Sequence, residues 1–429
     1  MLKSKKNYFI PIFGFALIML IGSLMLYLPI CNNKPITYWN ALFTSVSSVT
    51  TTGISKTPII EQFNFIGQIV LVVLMEVGAL GFLIFVSYFW AITNKKMKIS
   101  DILVINDSIN SDNFALIKEY SVFIFKRMIK IQVLGVVLYL FKFIPLFGIR
   151  QGIWFSIFHS VSAFANAGFD LLGNNSYINY NNDIYLQLVT ILIMFLGSIG
   201  ILTIHDISSN RGKKFKHLKA QTKIVLIASF IMVIVPTVLL KIFQPNMSLT
   251  NCLFMSVTAR STGATIIDIQ DLNIVSIIIL TITMFIGGAP ASTAGGVKIV
   301  SIVIIFATIS ATLRGENETI LFWRKVPDIT VKRAFTIFMI FILVLLISSC
   351  TFYVLNDVNL LDIVFDNVSA ISNTGLSMID YNNVNISGEI IILFLMFIGR
   401  VGPLSMVLMF VRNNHKDQYI KYPEENIIL

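Results

Sequence analysis

Four short stretches of this chain close on a glycine after the same lead-in, and this repetition restricts its folding more than any other feature. The first runs from Phe43-Thr44-Ser45-Val46 to Thr50-Thr51-Thr52-Gly53. The second runs from Phe158-His159-Ser160-Val161 to Ala165-Asn166-Ala167-Gly168. The third runs from Phe254-Met255-Ser256-Val257 to Arg260-Ser261-Thr262-Gly263, and the fourth from Phe365-Asp366-Asn367-Val368 to Ser372-Asn373-Thr374-Gly375. Phe and Gly stand ten residues apart in three copies and nine in the third. A short amphipathic helix that stops at a glycine, used four times, predicts a ring of four re-entrant loops around one axis. Backbone carbonyls arranged in a ring replace the water around a cation without adding net charge. Turning successive carbonyls inward needs backbone angles that glycine alone adopts freely. Each preceding helix would also aim its negative C-terminal end at the axis. Taken singly, each glycine reads as an ordinary helix C-cap; four copies with one lead-in favour the ring.

The setting for such a ring is a bilayer. Charged residues make up 13% of the 429, hydrophobic ones 56%, and the mean hydropathy is +0.82. Soluble domains carry about a quarter charged residues. The net charge of +10 would suit a nucleic acid if it formed one basic face, but it does not. Lys and Arg fall instead in connections between apolar runs: Lys3, Lys5 and Lys6; Lys95, Lys96 and Lys98; Arg211, Lys213, Lys214, Lys216 and Lys219; Arg324, Lys325, Lys332 and Arg333. That is the positive-inside pattern, so no nucleic-acid partner is expected. It puts both termini on the cytoplasmic side and the mouth of the ring outside. Cys31, Cys252 and Cys350 have no metal-ligand spacing and read as unpaired apolar fillers. The N-terminal apolar run, residues 8–30, is too long for a signal peptide and reads as a retained membrane helix.

The expected fold is an all-α integral membrane protein of four helix, pore-loop, helix repeats around a pseudo-fourfold axis with a central cation pore. Repeat 1 spans 1–98, with a pore helix near 36–49 and a second helix near 64–93. Repeat 2 spans 114–206, with a first helix near 121–144, a pore helix from about 152 and a second helix near 184–204. Repeat 3 spans 219–315, and its second helix is interrupted by Gly287-Gly288-Ala289-Pro290-Ala291-Ser292-Thr293-Ala294-Gly295-Gly296. A helix-breaking proline at membrane depth is tolerated only against protein or a water-filled path. Repeat 4 spans 330–412, with helices near 334–355 and 389–411, and residues 413–429 form a cytoplasmic tail. A second signature supports the repetition: Met75-Glu76-Val77-Gly78, Met194-Phe195-Leu196-Gly197, Met284-Phe285-Ile286-Gly287 and Met396-Phe397-Ile398-Gly399. Small residues at one level of four helices also serve plain close packing.

At these residues the chain resembles the Ktr/Trk/HKT superfamily of potassium transporters, most closely the Ktr-type membrane subunit. The likeness covers essentially the whole chain, including the interrupted helix, the Gly399-Arg400 pair and the ending Tyr422-Pro423-Glu424-Glu425. The resemblance implies that Gly53, Gly168, Gly263 and Gly375 line a filter for K+, since sodium-selective members can carry serine at the first position. It implies a homodimer in a bacterial plasma membrane, resting on a ring of cytoplasmic nucleotide-binding regulatory subunits, with uptake commonly dependent on Na+. No sodium site is visible by spacing. It also implies that Arg400 lies below the filter beside residues 287–296, and the two together are expected to form a gate; packing against carbonyls or a carboxylate is the alternative for so costly a residue.

Several residues admit two readings. Asp170, Asp268 and Asp380 either concentrate cations at the outer mouth or cap turns. Arg260 is expected to anchor its loop to a carboxylate. Glu76, in place of the Phe of the other copies, is expected to meet Arg400 or to face the pore. His159, His205, His217 and His415 show no ligand clustering. An intramembrane enzyme would need His or paired carboxylates at matched depth, and no such set stands out. No phosphate-binding glycine loop with its lysine is present, so no ATPase is expected. Sodium or another monovalent cation on the same scaffold remains the rival reading for the transported ion. A structural or receptor subunit would have no use for four pore loops.

Overall fold

The computed structural model describes residues 6–81, 114–173, 176–210 and 215–402. Among the described residues, besides the single turn Ile59–Gln62, thirteen α-helices carry the fold: α1 (Lys6–Tyr27), α2 (Tyr38–Val49), α3 (Phe65–Leu80), α4 (Phe114–Ala165), α5 (Ile184–Ser198), α6 (Ile201–Ser209), α7 (Ala220–Phe243), α8 (Leu249–Thr258), α9 (Ile274–Phe285), α10 (Ile299–Leu313), α11 (Asp328–Leu355), α12 (Leu360–Ile371) and α13 (Ile386–Val401). One hairpin, β1 (Ile320–Leu321) with β2 (Arg324–Lys325), is the sole sheet among the described residues. Short polar residues start many of the helices. The side chains of Thr37, Asn64, Asp183, Ser248 and Asn273 each accept a backbone N–H from the first turn of α2, α3, α5, α8 and α9.

Within each unit a long outer helix leads to a buried short one, then to an inner one. α4 holds two of these in one continuous run. Gly148 breaks it at φ 76, ψ 172, so residues 149–165 turn back as the expected pore helix. Gly152 lets the limbs pack closely, since a Cβ there would lie 2.7 Å from the Phe143 carbonyl oxygen. The short helices are buried almost throughout; in α12 every residue from Phe365 to Ile371 is covered. The outer helices show the reverse pattern. Leu17, Leu20, Leu24, Phe230, Ile231, Ile234, Leu343, Leu346 and Ile347 are exposed, the apolar outside that a lipid-facing helix presents. Of the described helices, three are long and apolar enough to cross a bilayer alone.

The inner helices differ from expectation. A break was expected only in the third, yet each stops short of the roughly 20 residues that span a membrane. α3, α5, α9 and α13 have 16, 15, 12 and 16 residues. The residue three past the last Gly of each Met-x-x-Gly signature is Gly81, Gly200, Pro290 or Gly402. Gly81, Gly200 and Gly402 take φ of 77, 87 and 92, beyond the reach of a helix. The pair α5 and α6 is bent by 87° at its glycine. Three of the four helices therefore break at one level, and the third, which ends at Phe285, breaks about one turn earlier. The expected continuations at 81–93 and 403–411, and the tail 413–429, lie outside the described residues, apart from Gly81.

Candidate cation pathway

The short helices do not end at their glycines. In three copies the N–H of the second residue past the C-cap returns to a carbonyl five residues back: Thr52 to Ser47, Ala167 to Ser162, Thr374 to Ser369. The N–H before it reaches three back: Thr51 to Ser48, Asn166 to Ala163, Asn373 to Ala370. This is a Schellman closure, and its left-handed residue is Thr51 (φ 55), Asn166 (φ 53) or Asn373 (φ 51), not the glycine. The helix is already capped when the chain reaches Gly53, Gly168 or Gly375, which excludes the C-cap reading for them. The third copy is one residue shorter and has no left-handed residue before Gly263.

What the glycines do is set by their neighbours. A Cβ on Gly53 would lie 2.2 Å from the Ala167 carbonyl oxygen. On Gly168 it would lie 2.0 Å from that of Thr262, on Gly263 2.3 Å from that of Thr374, and on Gly375 1.8 Å from that of Thr52. Each glycine thus abuts the carbonyl before the next one, and the fourth returns to the first. The four form a closed ring of backbone with no room for any side chain. All four carry positive φ, between 71 and 95.

Neighbouring side chains fasten this ring to its surroundings. The Gly53 and Gly375 N–H groups donate to the Ser47 and Ser369 hydroxyls at 3.0 and 2.9 Å. The hydroxyls of Ser162 and Thr258 donate to the carbonyls of Phe169 and Ala264. Adjacent loops are tied by Thr262 to Asn166 at 2.8 Å and Asn373 to Thr52 at 3.2 Å. Of the sixteen expected ring residues, the side chains of Thr52, Asn166, Thr262 and Asn373 therefore work between loops. A cavity of about 390 Å³ opens onto all four glycines from the side of the turns that follow them.

That cavity is also lined by Asp170, Asp380, Lys56 and Tyr381. Asp170 accepts from the Leu172 N–H and the Ser176 hydroxyl, at 2.8 and 2.6 Å, and Asp380 from Asn382 and Asn383. Asp170 and Asp380 therefore cap turns while lining this cavity. Asp268 only caps a turn, through the Gln270 N–H. Burial pushes the Asp170 carboxyl up to about 6, against the two bonds it accepts. Lys56 would repel cations here, but Glu389 neutralises it at 2.7 Å and also accepts from the Trp39 indole at 2.6 Å. Sequence reasoning missed this pair, whose members are 333 residues apart.

On the other side of the ring lies the break in the third inner helix. Ile286 and Val297 pair across its neck. Between them several backbone groups pair with neighbouring elements. The Gly295 N–H donates to the Ser261 hydroxyl at 3.1 Å, and the Ala289 N–H to the Ser198 carbonyl at 3.1 Å. The Thr293 hydroxyl receives the Asn166 amide at 2.6 Å and reaches the Phe164 and Gly197 carbonyls. Gly78, Gly197 and Gly399 of the Met-x-x-Gly signatures each abut the last-turn carbonyl of their own pore helix, Val49, Phe164 or Ile371; Gly287 abuts Gly295 instead. The irregular segment is wedged in where the third inner helix would otherwise touch its pore helix.

Arg400 lies against this wedge. One guanidinium nitrogen donates to the Thr293 carbonyl at 2.5 Å, the other to the Gly78 carbonyl. So the fourth unit's cation holds the third unit's irregular segment and the first unit's inner helix together. Lys298, which sequence reasoning missed, donates to the next carbonyl, Ala294, at 2.5 Å. Its signal was a lysine two residues after the small-residue run, at the helix N-cap, where the macrodipole disfavours a positive charge.

Two expectations are corrected. Glu76 does not meet Arg400: it accepts from Gln132 at 2.5 Å, and its other oxygen has no partner among the described residues. Two positions along a helix turn a side chain by about 200°, so Glu76 faces α4 while Gly78 faces Arg400. Arg260 finds no carboxylate among the described residues. It is fully buried, donates to the Ser229 hydroxyl at 3.2 Å and lies 6.0 Å from the centre of the Phe195 ring. The carbonyl end of α8 supplies the partial negative charge beside it. Cys31 and Cys252 are buried and unpaired as expected, whereas Cys350 is exposed on α11. No cluster of metal-ligating side chains occurs among the described residues.

Comparison with known proteins follows the same lines. A family model described as TrkH, cation transport protein, matches residues 3–422. The potassium/sodium uptake protein NtpJ of Enterococcus hirae is 34% identical, covering 97% of this chain and 95% of that one. The Ktr system potassium uptake protein B of Bacillus subtilis is 30% identical, covering 96% and 94%. Among solved structures, the potassium transporter TrkH from Vibrio parahaemolyticus superposes with a TM-score of 0.78 at 18% identity, over 96% of this chain and 86% of that one.

Proposed function

Because the chain belongs to the TrkH family of cation transport proteins, we propose that it takes up potassium across the plasma membrane as the ion-translocating subunit of a Ktr-type system. The observation that carries this reading is the closed ring of Gly53, Gly168, Gly263 and Gly375 at the floor of a cavity. Four re-entrant loops related by a pseudo-fourfold axis bring four sets of carbonyls to one pathway, where they replace the ion's water. Thr50 to Gly53, Ala165 to Gly168, Arg260 to Gly263 and Ser372 to Gly375 form the filter. Asp170 and Asp380 raise the cation concentration above it.

The segment from Gly287 to Gly296, held by Arg400 and Lys298, is the gate. Its two cations oppose the permeant ion, and opening it means freeing the Thr293 and Ala294 carbonyls. The reading includes a homodimer and a ring of cytoplasmic nucleotide-binding subunits, in keeping with the Ktr system named for the Bacillus subtilis relative. Na+ enters as a coupled ion, or as the transported ion in a second reading that the potassium/sodium name of the Enterococcus relative favours. The function is transport, not catalysis.

The test is uptake by cells lacking their own potassium systems, with the chain expressed alone or with a nucleotide-binding Ktr subunit and external sodium varied. Potassium uptake and growth at low potassium support the proposal, and a sodium requirement supports coupling. Sodium uptake that potassium does not inhibit would replace it with the second reading. No cation uptake in any combination would end both.

A further inference from the structure

The hairpin between α10 and α11 lies far from the ion pathway. At its turn Phe322 and Trp323 take φ of 50 and 63. A two-residue turn with both residues left-handed suits the twist of a hairpin but is normally made with Asn-Gly. Two bulky aromatics there are strained. Packing does not explain the choice: Trp323 is 99% exposed and Phe322 39%.

The hairpin does not project away from the helices. It turns back along α10, with the Thr319 hydroxyl 3.0 Å from that of Thr308 and Leu321 packed on Ile304, Ile305 and Ala334. The Lys223 ammonium stands 5.9 Å from the centre of the Phe322 ring. These contacts fix the level of the tip. Lys223 is the last basic residue before the apolar run of α7, and Lys332-Arg333 directly precede the apolar run of α11 at Ala334. Trp323 therefore stands where α7 and α11 pass from basic to apolar, the depth at which Trp is enriched in membrane proteins. Arg324 follows it in the chain and, like Lys332 and Arg333 in the first turns of α11, is exposed, while Lys325 is held by Glu318 at 2.5 Å.

We propose that this hairpin is an interfacial anchor that binds anionic phospholipid: Trp323 seats among the headgroups of the inner leaflet, and Arg324, Lys332 and Arg333 contact their phosphates. Charge complementarity selects anionic headgroups, and the level of the tip selects lipid over a protein partner lying deeper in the cytoplasm. The inference rests on the transport reading only in taking the basic face as the inner one.

The test uses the full chain in nanodiscs of phosphatidylcholine, with or without phosphatidylglycerol, in which the lipid tails are brominated near the headgroup. The emission difference between the wild type and Trp323→Phe isolates this indole. The expected result is a component quenched by the brominated lipid, shielded from iodide and shifted to shorter wavelength by phosphatidylglycerol. Native mass spectrometry of the wild type and Arg324→Gln gives a second readout, in which the variant's preference for phosphatidylglycerol drops about fivefold. A Trp323 component open to iodide and unquenched in both lipids would overturn the anchor. So would one that responds only when a nucleotide-binding Ktr subunit is added, since the hairpin would then be a protein contact. None of these readouts requires transport, so the anchor and the transport reading fail separately.

Discussion

Replacing Gly53 by alanine tests the ring most directly. The residue sits at φ 93, where a side chain costs roughly 1–2 kcal/mol. The new Cβ would lie 2.2 Å from the Ala167 carbonyl oxygen, where 3.0 Å is the closest that real Cβ atoms approach. The neighbouring carbonyl has to retreat by about 1 Å, and overpacking of this kind costs typically 1–3 kcal/mol. Together these come to about 2–5 kcal/mol, and each 1.4 kcal/mol that falls on the ion site weakens binding about tenfold. We expect a rise of about tenfold or more in the external potassium concentration for half-maximal uptake, with loss of discrimination against sodium. Gly53→Ser should do the same. Gly148→Ala is the control. It has a similar φ of 76 but open space around its Cβ, so it bears the backbone term alone. Uptake would be measured with membrane levels of each variant matched by blotting. Unchanged potassium affinity and sodium discrimination in Gly53→Ala would refute the ring argument. Equal damage in Gly148→Ala would trace the effect to backbone strain instead.

Other variants probe the remaining parts. Arg400→Ala removes two charged hydrogen bonds, worth about 1.5–3 kcal/mol each, and should raise cation flux and blunt regulation; unaltered flux and regulation would remove it from the gate. Lys298→Met should also raise flux while Lys298→Arg restores control, and equal behaviour of the two would mean that only packing matters. With the Asp170 carboxyl near 6, uptake should decline as external pH falls from 7 to 5, and the decline should be absent in Asp170→Asn. The native value lies above the unfolded one, so raising the pH through this window lowers stability; any improvement in uptake must therefore come from the restored charge. Glu76→Gln keeps a hydrogen bond to Gln132 and should leave ion affinity unchanged, which a shifted potassium dependence would contradict.

The long apolar runs and repeated glycines made most of the helices and the ring legible in the sequence, because both follow from local rules. The capping geometry was not legible. A Schellman closure usually spends its glycine on the left-handed position, and here Thr51, Asn166 and Asn373 occupy it. Asparagine is the usual second choice for that conformation, but a β-branched threonine is not marked for it in advance. The fourfold break was readable but missed. Proline and a run of small residues drew attention to the third inner helix, while Gly81, Gly200 and Gly402 at the same offset are single glycines. The partners of Glu76 and Glu389 lie on other units, and Ser229 beside Arg260 lies on another helix of the same unit; the sequence carries no record of which faces meet.

One seam of the ring has a consequence for how the protein is made. Gly375 closes against the Thr52 carbonyl, Asn373 bonds Thr52, Glu389 holds Lys56 and Trp39, and Arg400 reaches Gly78. These contacts join the first synthesised unit to the last, across 321 to 350 residues. Contacts so distant in sequence form late. A growing chain with three units inserted has an open crescent instead of a closed conduit, and its first loop waits without its neighbour. On the proposed reading, ion passage thus begins only with the final unit, which brings Arg400 with it, so an unfinished chain has no complete pore through which the cell's ion gradient could leak.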